Sequence, residues 1–205
     1  MGTTTTKSHM LLSLNCTREE ACTFAVLSFV TVNSSYSALF LQEPWLTAHK
    51  EPPALRSFDM FTPSPTHPRI VTYIRKSANF HPSVALNEAG SFLGIHITPS
   101  PNTPPAMIYN FYSPGRQQAV CRFFRNFRPN NNAIICGDFN SHHQTWYRHR
   151  AAQHHLHLHN DAILVDELVK RLVNLSLLVP NGGTPCRGTL ADLASLGLAS
   201  TLKSA

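Results

Sequence analysis

Apolar residues fall along this chain in short bursts separated by polar and proline-rich stretches, a pattern of short strands alternating with a few helices. Residues 10–15 form a brief apolar run that ends in Asn15 and predict a first strand. Residues 18–30 carry acidic side chains early and apolar ones after. That order predicts a helix, because carboxylates favour the positive N-terminal end of the helix dipole. Leu39, Phe40 and Leu41 form a second strand burst, which stops at Gln42-Glu43-Pro44-Trp45 because Pro44 cannot donate to a central ladder. Residues 47–69 are proline-rich without a clear period and read as an exposed loop. Residues 70–74 predict a strand, residues 80–89 an irregular segment. Residues 91–98 predict a strand with Phe92, Gly94 and His96 on one face and Leu93, Ile95 and Ile97 on the other. Residues 106–112 and 133–136 are strands by the same reading. Residues 117–127 and 160–173 are helices, the latter with Ile163, Leu164, Leu168 and Leu172 as its apolar stripe and Asn160-Asp161 as its cap. Residues 175–179 predict a short strand.

The length, 205 residues, suits one domain with a sizeable core, and an apolar fraction of 42% argues against disorder throughout. The balance of 17 Lys+Arg against 11 Asp+Glu leaves a formal charge of +6, which favours a polyanionic partner. Five cysteines without a CxxC pair read as reduced thiols of an intracellular protein. No window has the length and apolarity of a membrane span. The opening Met1-Gly2-Thr3-Thr4-Thr5-Thr6 matches an N-myristoylation pattern, but a ragged, Thr-rich start accounts for it as well. Seven of the twelve histidines lie between His142 and His159, yet their spacings match no closed zinc site.

The chemistry concentrates in Ala133-Ile134-Ile135-Cys136-Gly137-Asp138-Phe139-Asn140-Ser141-His142-His143-Gln144-Thr145-Trp146. A buried strand runs into a glycine, and Asp138 and Asn140, two apart on an extended backbone, point the same way. A carboxylate and an amide so placed suit a metal-bound phosphate or its attacking water. Gly-Asp alone would read as an ordinary strand-turn with an Asx cap; the full string is far more specific. It resembles the Gly-Asp-Phe-Asn signature of the endonuclease/exonuclease/phosphatase superfamily. His142-His143 and Trp146 bring it closer still to the endonuclease domain of non-LTR (LINE-type) retrotransposons. Leu41-Gln42-Glu43-Pro44-Trp45 resembles the segment around that family's metal-binding glutamate. Asn110-Phe111-Tyr112-Ser113-Pro114 resembles its Asn-x-Tyr-x-Pro string, and residues 181–185 its Gly-Thr-Pro-Thr turn.

The resemblance implies a four-layer α/β sandwich: two mixed β-sheets packed face to face, with helices outside. The domain is expected over residues 10–194, after a ragged N-terminus (1–9) and before a tail (195–205). The implied reaction is metal-dependent hydrolysis of a phosphodiester in DNA, with Mg²⁺ or Mn²⁺ as cofactor and an intracellular, nuclear setting. By the same resemblance Asn15 and Glu43 hold the metal, Asp138 and Asn140 orient and deprotonate the water, and Tyr112 donates to the phosphate. Asn110, His142 and Trp146 are implied to contact substrate. Residues 188–193 resemble the Ser-Thr-Ile-Asp-Leu segment one residue out of step, which aligns Asp192 with its catalytic carboxylate. The closing Ser-Asp-His motif is absent from these 205 residues. The expectation is therefore a domain short of its last strand, either an endonuclease of reduced turnover or a non-catalytic retroelement remnant that at most binds nucleic acid. A small-molecule phosphatase of the same superfamily is the third alternative, against which Pro44-Trp45 and Trp146 argue. The implied site residues, far apart in sequence, should meet in one cleft. Glu43 and Asp138 should lie within about 10 Å, close enough to share one metal and its waters.

Overall fold

The computed structural model describes residues 9–78, 80–88, 92–98, 105–113, 127, 133–138, 177–178 and 193–197. Among the described residues, ten strands lie in two mixed sheets. The first sheet contains β1 (Met10–Asn15), β2 (Tyr36–Gln42), β3 (Phe58–Phe61) and β4 (Ile70–Arg75), in the order β1-β2-β4-β3. The second contains β5 (Ser83–Glu88), β6 (Phe92–Ile97), β7 (Ala106–Tyr112), β8 (Ala133–Asp138), β9 (Leu177–Leu178) and β10 (Leu193–Gly197), in the order β5-β6-β7-β8-β10-β9. Each sheet holds one parallel pair, β1 with β2 and β7 with β8, among antiparallel neighbours. These are the two mixed sheets of the expected sandwich.

Strand alternation sorts side chains between two apolar layers. Ala38 and Phe40 of β2, with Ile70 and Ile74 of β4, meet Leu93, Ile95, Ile97, Ile108 and Cys136 of the second sheet in the core between the sheets. Leu39, Leu41, Val71 and Tyr73 point the opposite way, onto the helix α1 (Glu20–Val32), where Val26, Leu27 and Val30 cover them. On the outer side of β6 and β7, Phe92 stacks on Tyr109 with centroids 5.2 Å apart, and Phe127 meets Tyr109 edge-on at 5.0 Å. Arg75 ties α1 down: its guanidinium donates to the carbonyls of Val30 and, at 3.0 Å, Asn33, at the negative end of the helix dipole.

Two expectations are corrected. The loop over 47–69 contains β3, an edge strand paired with β4 from Phe58↔Arg75 to Phe61↔Thr72, with Phe58 buried. The segment over 80–89 contains β5, an edge strand paired with β6. β3 lies among prolines and β5 follows Pro82, and each takes its ladder from a single neighbour. β10 extends past residue 194 and pairs antiparallel with β8, so the second sheet reaches into the stretch read as a tail. The helices expected over 117–127 and 160–173 lie outside the described residues except for Phe127, which is not helical, and so do Met1–Thr6, Cys121 and Cys186. Cys22 is a free thiol. Among the described residues no helix is long and apolar enough to cross a membrane.

Gly137 is more closely packed than Gly94. Its φ of +151° is unfavourable for a side chain, and a Cβ there would sit 2.0 Å from the carbonyl oxygen of Phe111 on β7. The glycine lets β8 run against β7 while Asp138 stays at the strand end. Gly137→Ala is expected to lower unfolding free energy by roughly 3 kcal/mol or more, since backbone rather than a flexible side chain must move. Urea denaturation measures it, and a loss under about 1 kcal/mol would mean the ladder relaxes freely.

Candidate active site

The two parallel pairs bring four strand ends together. Asn15 ends β1, Glu43 follows the end of β2, Tyr112 ends β7 and Asp138 ends β8. Asn15 Nδ2 donates to Asp138 Oδ2 at 2.6 Å across the sheets, and Tyr112 is the register partner of Asp138. Asp138 is almost fully buried, and its carbonyl accepts from the Ser113 amide at 2.8 Å. The Glu43 side chain is hydrogen-bonded to Tyr112. Burial pushes the Tyr112 hydroxyl up to about 12, the hydrogen-bonded Glu43 carboxylate adds to the rise, and Arg69 opposes it. Tyr112 is therefore a protonated donor at neutral pH.

The loops after β1 and β2 hold this arrangement under strain. Thr17, Arg18 and Glu43 take φ of 49°, 59° and 44°, the left-handed region that side chains rarely adopt. Such residues carry strain on the order of 1–3 kcal/mol each and persist only where neighbours over-determine them. Here the Cys16 amide donates to the Gln42 carbonyl at 2.8 Å and the Arg18 amide to the Glu43 carbonyl at 2.7 Å. The Glu43 amide donates to the Arg69 carbonyl at 2.7 Å. Helix α1 secures the next residue but one: the Trp45 amide donates to Thr23 Oγ1 at 2.9 Å, and the Trp45 ring lies 5.6 Å from Phe24.

Asn110, read as a substrate contact, sits between the sheets with no exposed surface. Its Oδ1 accepts from Gln42 Nε2 at 2.7 Å; its Nδ2 donates to the Val71 carbonyl at 3.0 Å and to Thr72 Oγ1 at 3.2 Å. In this conformation its carboxamide is directed into the protein, two residues below Tyr112. Asn140, His142, Trp146 and Asp192 lie outside the described residues.

Two arginines join the site that the sequence reading passed over. Arg69 Nη1 is 3.4 Å and Arg18 Nε 3.6 Å from the same oxygen, Glu43 Oε1, and the Arg69 guanidinium carbon lies 5.7 Å from the Tyr112 ring centre. The signal for Arg69 was its place just before β4. Gln42↔Ile70 pairing sets the start of that antiparallel strand beside the end of β2.

The donor set is one of hard oxygens. The Glu43 carboxylate already draws two cations, and the Asn15 carboxamide oxygen accepts the Thr17 amide at 2.8 Å while keeping a second lone pair. One carboxylate and one amide oxygen completed by waters suit Mg²⁺, which keeps much of its hydration, better than zinc. Among the described residues no three His, Cys, Asp or Glu side chains cluster for a metal.

The two mixed sheets form an α/β sandwich whose fold matches that of the endonuclease/exonuclease/phosphatase proteins. Residues 106–182 match the model of a family described as endonuclease-reverse transcriptase. The structure is similar to the endonuclease domain of TRAS1, a telomere-specific non-LTR retrotransposon (TM-score 0.63, 15% identity, covering 92% of this chain and 84% of that one). It is similar also to the AP endonuclease LMAP of Leishmania major (TM-score 0.63, 13% identity, covering 93% and 79%). No curated protein matches. The resemblance read from Gly137-Asp138-Phe139-Asn140 thus holds in the family model and in the fold, with the endonuclease domain of a non-LTR retrotransposon among its structural relatives.

Two outcomes test the site's construction. Asn110→Ala should lower unfolding free energy by about 2–4 kcal/mol, because it strands the buried partners of several hydrogen bonds; an unchanged urea midpoint would remove it from the framework. For Tyr112 the folded value lies above the ordinary 10.0, so its contribution to stability is complete below pH 10 and is lost as pH rises through about 12. Across that interval wild type should lose stability more steeply than Tyr112→Phe, which has no hydroxyl to ionise. Equal slopes in pH-dependent urea melts would contradict the assignment.

Proposed function

We propose that this chain is a metal-dependent phosphodiester hydrolase of the retrotransposon endonuclease type, acting on DNA. The observation that carries the reading is the meeting of Asn15 with Asp138, beside Tyr112 and Glu43, at the ends of two parallel strand pairs. Glu43 and Asn15 would hold Mg²⁺ or Mn²⁺, which when bound supplies positive charge to polarise the phosphate and stabilise the leaving oxygen. Asp138, its carboxylate oriented by the Asn15 amide, is placed to align a water and take its proton, with Asn140 as its partner by resemblance. Tyr112, protonated at neutral pH, donates to a phosphate oxygen and stabilises the charge that builds there. His142 and Trp146 extend the substrate contact by resemblance, and Asp192 stands for the carboxylate of the family's later segment.

A DNA substrate accords with the +6 charge and with the two structural relatives, both named as endonucleases. The nucleus is the compartment this reading implies.

The experiment is plasmid nicking in Mg²⁺ and in Mn²⁺, with Glu43→Ala and Asp138→Ala alongside. Nicking should need the metal and fall roughly 10²–10⁴-fold in Asp138→Ala, the contribution of one general base. Glu43→Ala should lose it comparably and require more metal. Folded wild-type protein that binds DNA without nicking it would leave the remnant reading; nicking indifferent to both substitutions would dismiss the site.

A further inference from the structure

The Arg18–Glu43–Arg69 cluster has more charge than the site's own bonding requires. Two guanidiniums share one carboxylate oxygen at 3.6 and 3.4 Å, both longer than the roughly 2.7–2.9 Å of a charge-assisted N–H···O bond. The arginine side chains are 60% and 41% exposed against 20% for Glu43, so the pairs are loose and their outer faces open to solvent. They flank a cleft of about 180 Å³ also lined by Trp45 and His67. One carboxylate neutralises one of the two positive charges. A guanidinium presents several donors in a plane and pairs with phosphate as readily as with carboxylate.

We propose that Arg18 and Arg69 form a clamp for a DNA backbone phosphate, held in check by Glu43 and released when that carboxylate engages a divalent cation. The inference rests on the metal-binding role of Glu43 in the hydrolase reading and adds to it a coupling between cation and DNA. A cation at Glu43 competes with both guanidiniums for the same oxygen, and each freed guanidinium then gains by pairing with a phosphate. Arg69 is already beside the Tyr112 ring, so a phosphate it binds lies next to the proposed hydroxyl donor. The strained backbone at Arg18 and Glu43 keeps both ends of the cluster in place while the side chains exchange partners.

The test reads DNA binding, not turnover: fluorescence anisotropy of a labelled DNA duplex over a range of NaCl concentrations, in Ca²⁺ and in EDTA. Wild type should bind more tightly in Ca²⁺. Arg18→Gln/Arg69→Gln should lose roughly tenfold in affinity with Ca²⁺ present, and its plot of log K against log salt should flatten by about 0.9, the value for one lost phosphate contact. Arg69→Lys in place of Arg69→Gln should retain the slope. In EDTA, Glu43→Gln should reach the affinity of wild type in Ca²⁺, and Glu51→Gln, the same charge change on an exposed loop residue, should not. The gain from Glu43→Gln should vanish when both arginines are also replaced, a double-mutant cycle within the cluster. An unchanged slope in the folded double variant, or equal gains from Glu43→Gln and Glu51→Gln, would overturn the clamp. The hydrolase reading fails separately. Nicking with no change in slope keeps the hydrolase and discards the clamp; a clamp without nicking does the reverse.

Discussion

The hydrogen bond from Gln42 Nε2 to Asn110 Oδ1, 2.7 Å long and fully buried, is the contact on which the site's geometry depends. Apolar burial between Phe40, Ile74, Ile95 and Ile108 holds the two sheets together but is non-directional. It would tolerate a small slide of one sheet over the other. A buried amide pair does not, because displacement leaves polar groups without partners at a cost of about 1–3 kcal/mol each. Asn110 also donates to the carbonyl of Val71 and the hydroxyl of Thr72, so one carboxamide locks β7 against β2 and β4 at once. The lock sits one residue from Glu43 and two from Tyr112. Whatever the strand ends do is registered to it.

Above that lock the chain departs from regular geometry. Gly137 removes a side chain where β8 presses on the backbone of Phe111, and the next residue is the carboxylate that Asn15 meets. Glu43 adopts a left-handed conformation directly before a proline, and its amide and carbonyl are each bonded to a different neighbouring segment. The parallel ladder of β1 and β2 continues past the strands through the Cys16 and Arg18 amides. The rigid lower part and the strained upper part do different work: one sets distances, the other aims side chains out of the sheets into the cleft.

Charge then decides what the arrangement attracts. A half-buried carboxylate draws Arg18 and Arg69, a nearly buried one draws the Asn15 amide, and burial keeps the Tyr112 hydroxyl protonated. This mixture of anionic oxygens, guanidinium donors and a neutral phenol suits a ligand that is itself a cation with a phosphate. It also explains why Asn110, equally polar and close by in sequence to Tyr112, belongs to the framework: its amide is used up inside the protein.

Much of this was legible in the chain. Residues 10–15 form β1 as their apolar pattern indicated, and the alternation over residues 91–98 set Leu93, Ile95 and Ile97 toward one face, the face the core occupies. Gln42-Glu43-Pro44 announced a polar group at a strand end, because a proline after an apolar burst stops a ladder at a definable residue; β8 instead runs on through Gly137 to Asp138. The edge strands β3 and β5 were not legible. Their residues, near prolines and without a long alternation, become strands by borrowing hydrogen bonds from β4 and β6. Nor were Arg18 and Arg69, which stand 51 positions apart and meet only at Glu43. Local periodicity is a property of neighbours in sequence, and so the sequence by itself determined the strands that carry an apolar burst or alternation, β1, β2, β4, β6, β7 and β8, and not the edge strands β3 and β5. Which ends face one another follows from parallel pairing, inter-sheet packing and one buried amide bond, none of which exists until distant segments have met, and that was decided only by the tertiary structure.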